Sequence, residues 1–133
     1  LEENFVESFL DIIEHRNEKK IEKYIQKFKD YYLIKLSGEI GIFHSIFNAI
    51  SSLAELYGVG KIILDISELT DFSSSSNLGA LAIMSRNLRN ISGIPIPLRL
   101  IIQDNESLYN YFQQANLIDF FGVGRTVEDI IGK

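Results

Sequence analysis

The chain has 133 residues, 46% of them hydrophobic, which suits one domain with a real core and speaks against disorder of the whole. Thirteen Lys and Arg stand against eighteen Asp and Glu, a formal charge of −5, which argues against nucleic acid or an anionic membrane as the main partner. With no cysteine there is no disulfide framework, thiol nucleophile or cysteine-ligated zinc, as fits a reducing compartment. No apolar run is long enough to cross a bilayer.

Residues 1–16 predict an amphipathic helix. Phe5, Phe9, Ile12 and Ile13 share one face with Leu10 beside them, while Glu2, Glu3, Glu7 and Asp11 lie elsewhere. That stripe needs a cover: packing on its own domain is the default, and pairing with a second copy is the alternative. Residues 18–30 carry Ile21, Tyr24, Ile25 and Phe28 at helical spacing, which favours helix over strand. Tyr31 to Leu36, aromatic and branched, reads as a strand ending at Ser37-Gly38.

Helical spacing returns from Ile42 to Tyr57, and Gly58-Val59-Gly60 stops it. Lys61 to Ile66 reads as a short buried strand. Next comes the serine run Ser73 to Ser76 with Asn77, Leu78 and Gly79, opening a helix that runs to about Asn90 through Leu81, Ala82, Ser85 and Leu88. After a connector at 91–95, Leu98 to Ile102 predicts a strand, with both prolines ahead of its hydrogen-bonded part. Asp104-Asn105 starts a helix with Leu108, Phe112 and Ala115 on its buried face and Asn116 as a left-handed stop. Phe120 to Val123 reads as a short last strand, and Thr126 caps a final helix with Glu128 and Asp129 in its first turn. Strands alternating with helices imply an α/β fold with one sheet, largely parallel in its later part.

The serines sit where a strand hands over to a helix. A hydroxyl there can accept from the first unpaired N–H groups, and the same groups and the helix dipole would favour a phosphate on it. The plainer alternative is a serine-rich capping loop. Enzyme signatures are absent. His15 and His44 suit surface or cap roles, and no His-Glu-x-x-His run, acidic metal loop, Gly-x-Ser-x-Gly elbow or phosphate-cradling glycine loop occurs. His44, Ser76 and Asp65 could be joined on paper as a triad, but their spacing does not support one. No metal or cofactor is expected.

Four stretches together resemble the STAS domain, the family of bacterial anti-sigma-factor antagonists. They are Leu36-Ser37-Gly38-Glu39-Ile40 as a strand end, Ile62 to Ser67 as the central strand with its aspartate, Ser74 to Leu81 as the Asp-Ser-Ser-Gly-Leu-Gly signature, and the closing segments Ala115 to Phe120 and Thr126 to Asp129. The likeness covers residues 21 to the end and lies in order and spacing rather than in any one motif. It implies a four- to five-stranded mixed sheet with helices mainly on one face, residues 18–133 forming the domain and residues 1–17 an extra N-terminal helix. That helix would close over the uncovered sheet face or pair with another subunit, and the segment before Tyr31 becomes a first strand.

The resemblance also implies a cytoplasmic, non-enzymatic regulator that binds an anti-sigma factor of serine-kinase type and is released when a serine is phosphorylated. Counted back from Leu78-Gly79 the acceptor is Ser76; counted forward from Asp65 it is Ser75. Partner contacts would fall on Gly38, Glu39, Ile40 and Gly41, and on Ser73, Ser74, Ser75, Ser76, Asn77 and Gly79. Ser74 stands where the family has aspartate and Asn77 where it has glycine, which leaves open a module that binds without being switched. A scaffolding domain that dimerises through Phe5, Phe9, Ile12 and Ile13 is the second reading. A small hydrolase or nucleotide-binding protein is the third, and a pocket with converging polar groups near Asp65 would favour it.

Overall fold

The computed structural model describes residues 2–15, 24–39, 43–70 and 75–131. In chain order these form α1 (Glu2–His15), β1 (Tyr24–Phe28), β2 (Tyr31–Glu39), α2 (Phe43–Tyr57), β3 (Ile62–Thr70), α3 (Ser75–Ser92), β4 (Leu98–Ile101), α4 (Glu106–Gln114), β5 (Val123–Gly124) and α5 (Val127–Ile131). The five strands make one sheet in sequence order. β1 and β2 are antiparallel, and every later pairing is parallel. The expected mixed α/β sheet is therefore present.

Alternation along the strands divides the molecule into two faces. Tyr32, Ile34 and Leu36 of β2, Ile62, Leu64 and Ile66 of β3, and Leu98 and Leu100 of β4 point into the main core. There they meet Ile46, Phe47 and Ile50 of α2, Leu81, Met84 and Leu88 of α3, and Leu108 and Phe112 of α4. On the other face Ile63 and Ile101 are covered by Val127 and Ile130 of α5. The helices thus lie mainly on one side.

Several expectations are corrected. Residues 24–28 form the first strand expected before Tyr31, and only the helical reading of their spacing is overturned, because Ile25 pairs with Ile34 and gains a buried neighbour that a helix would not offer. The hairpin closes through Lys29 and Asp30, with Lys29 in the left-handed region at φ 55°. α1 does not close the second sheet face. Phe5 and Phe9 are 0% and 1% exposed within their own chain, the Phe5 ring lies 5.0 Å from that of Tyr32, and Ser8 shares a hydrogen bond with Tyr57 of α2. α1 therefore joins α2 on the main face, and these two phenylalanines are not available to a second copy; the side chains of Ile12 and Ile13 lie outside the described residues.

The central strand also runs further than Ile66. Between Asp65 and Glu68 it carries one residue more than β2 does between Lys35 and Ser37, a bulge that shifts the inward phase by one. Leu64 and Ile66 are buried, Glu68 is exposed, and Leu69 is buried again. Spacing of two and then three hid this strand's second half. The last strand is shorter than expected: only Val123 and Gly124 pair, while Phe120 and Phe121 lie in turns after α4.

Candidate functional site

Parallel pairing brings two connections to one edge. Gly38 pairs with Leu69 and Glu39 with Thr70, so the chain leaves β2 and β3 side by side, at the carboxyl end where open α/β sheets tend to bind. From β3 it reaches α3, which opens at Ser75. Ser75 and Ser76 thus belong to the first turn, whose N–H groups have no helical partner. No acidic residue occupies that turn, so nothing within it offsets the positive end of the dipole. Gly79 is exposed, and a β-carbon there would meet nothing within 4 Å. Asn77 differs from expectation. The residue is only 3% exposed within the chain, where a partner contact would be expected to face solvent. Ile40, Gly41, Ser73 and Ser74 lie outside the described residues.

A second constellation lies on the other sheet face. Asp65 is buried at 7% exposure. Its Oδ1 accepts from the Ser67 N–H at 3.0 Å and the Ser67 hydroxyl at 2.6 Å, and its Oδ2 accepts from Gln103 Nε2 at 2.8 Å. The first pair holds the bulge, because the carboxylate takes an N–H that the shifted ladder would leave without its regular partner. Gln103 reaches across from the end of β4 with its backbone in the left-handed region at φ 48°. Asn105 binds the same bulge, donating to the Ser67 carbonyl at 2.8 Å while its Oδ1 caps α4 through the Leu108 N–H at 3.1 Å.

Arg125, after β5, closes this group. Its guanidinium donates to the Gln103 carbonyl at 2.8 Å, pairs with Glu106 at 2.8 Å and lies 4.8 Å from the Tyr109 ring centroid. The hydrogen bond to Glu106 raises the Arg125 pKa further, so the group stays cationic. Thr126 and Asp129 form the capping box of α5: the Thr126 hydroxyl accepts from the Asp129 N–H, and the Asp129 carboxylate accepts from the Thr126 N–H, both at 3.2 Å. Leu33, Asp65, Ile101, Gln103 and Asp104, with residues 125–127, line an open cleft of about 310 Å³.

Asp65 and the Thr126 cap are legible in the sequence, whereas nothing local marks Gln103, Asn105 and Arg125 as their partners. Asn105 was visible as a helix start; its reach to Ser67 depends on the packing of α4 beside β3. Among the described residues no group of three or more His, Cys, Asp or Glu could hold a metal ion, and no helix is long and apolar enough to cross a membrane. Neither the protein-family models nor the curated proteins compared with this chain match it.

Proposed function

We propose that the chain is a cytoplasmic, non-enzymatic signalling domain of STAS type. It binds a protein partner of the anti-sigma-factor, serine-kinase kind through the segment 38–41 and the start of α3, and Ser76, or Ser75 in its place, accepts a phosphate from that partner. The observation that carries this reading is the pairing of Glu39 with Thr70. It puts the end of β2, where the first of the two stretches singled out by the resemblance begins, beside the end of β3, from which the chain continues to the second, and this supports one partner touching both. A phosphate in the first turn of α3 would add about −1.5 to −2 charges at pH 7. The helix end accommodates that charge, whereas a partner surface shaped around a hydroxyl does not.

Incubation with candidate anti-sigma kinases and ATP should yield phosphoserine at position 76 or 75 by mass spectrometry. Ser76→Asp should bind such a partner at least about tenfold more weakly, since tenfold needs only about 1.4 kcal/mol. Equal binding by that variant would remove the switch. Binding without any phosphoserine would leave an unswitched interaction module.

A further inference from the structure

We propose that the cleft beneath α5 binds a small protonated amine, its nitrogen on Asp65 Oδ2 and its apolar body on Leu33, Ile101 and Val127. The site lies on the sheet face opposite α3 and does not rest on the partner-binding proposal. Three observations converge on it. The first is charge. Asp65 is 7% exposed and its three donors, the Ser67 N–H, the Ser67 hydroxyl and the Gln103 amide, are all neutral. A buried carboxylate without a counter-charge is costly, and a cation brought to it recovers much of that cost. Of the neighbouring cations, Lys35, its register partner on β2, pairs with Glu68 at 2.8 Å, and Arg125 pairs with Glu106 at 2.8 Å.

The second is directional. A carboxylate offers about four lone-pair sites. Oδ1 receives two hydrogen bonds and Oδ2 one, so one acceptor direction remains on the oxygen nearer Gln103. The third is shape and polarity. The cleft is about 310 Å³, at the small end of ligand pockets, which span roughly 300–1,000 Å³. Its apolar walls are Leu33, Ile101 and Val127, and its charged lining is two carboxylates, Asp65 and Asp104, against one guanidinium, Arg125. Arg125 is already paired with Glu106 at 2.8 Å, so the cleft is net negative and favours a cation over an anion.

The test is titration of the ¹⁵N-labelled protein with benzylamine, benzyl alcohol and benzoate, followed by amide chemical shifts. Benzylamine should shift the amides of Asp65, Gln103 and Val127, with an affinity at least about tenfold above the other two, as a partly desolvated charge pair supplies. Asp65→Asn should lower that affinity by a similar factor, and Val127→Phe, which fills the cleft and keeps the carboxylate, should abolish the shifts. Equal affinity for all three probes, shifts mapping elsewhere, no shift at saturating benzylamine, or unchanged binding by Val127→Phe would each overturn the assignment. If Asp65→Asn loses its fold, the three probes on the unaltered protein decide the matter.

Discussion

Asn105 Nδ2 donates to the carbonyl of Ser67 at 2.8 Å, fastening the first turn of α4 to the bulge of the central strand. The same side chain caps that helix through the Leu108 N–H. One amide therefore sets both where α4 begins and how it sits against β3. Asn105→Ala should destabilise the fold by about 2 kcal/mol, from loss of the cap and an orphaned carbonyl. Asn105→Ser keeps a cap acceptor but cannot span to Ser67, and should cost about 1 kcal/mol. Urea unfolding of the two variants checks the order.

Gly60 is required by a close approach, not by its backbone angles. A β-carbon there would lie 2.7 Å from the Ser92 β-carbon and 3.0 Å from the Ser92 backbone nitrogen, where the end of α3 crosses the entry to β3. Gly60→Ala should destabilise by about 2 kcal/mol through overpacking. The midpoint of thermal unfolding should fall accordingly; an unchanged midpoint would show that the crossing can relax.

Asn116 ends α4 in the left-handed region at φ 59°. Its N–H donates to the Gln113 carbonyl at 3.1 Å, and the Leu117 N–H donates to the Phe112 carbonyl at 2.8 Å, the two bonds of a Schellman stop. Asn116→Gly should stabilise by roughly 0.5–1 kcal/mol, because glycine adopts this conformation without steric cost. Asn116→Val should destabilise by more than about 1 kcal/mol. Denaturant midpoints moving in opposite directions would verify the motif.

Phe9 is buried against its own domain. Phe9→Ala should therefore cost about 3–5 kcal/mol of folding stability and leave the molecular mass in solution unchanged. A loss of mass without a loss of stability, measured by light scattering and denaturation together, would return the stripe to a second copy.

Much of the fold was legible because its signals are local. Asp104-Asn105, Asn116 and the Thr126–Asp129 box mark helix ends through side-chain and backbone chemistry that acts within a few residues. The apolar stripes of α2 and α4 follow one face and predict burial whichever surface they meet. The serine junction was also readable as a helix entrance, and α3 opens at Ser75.

The sequence by itself determined an α/β chain with its helix boundaries and its apolar faces, because periodicity and capping depend on near neighbours. Tertiary structure decided what no local rule could reach. β1 is a strand because Ile34 waits across the ladder, α1 lies beside α2 because Tyr32 offers its ring to Phe5, and β3 keeps its burial through a bulge that Asp65 and Ser67 sustain. Asp65 itself shows the difference most clearly. Its residue type was plain from the start, but its burial among neutral donors depends on Gln103, 38 positions away, and only the packed sheet brings the two together.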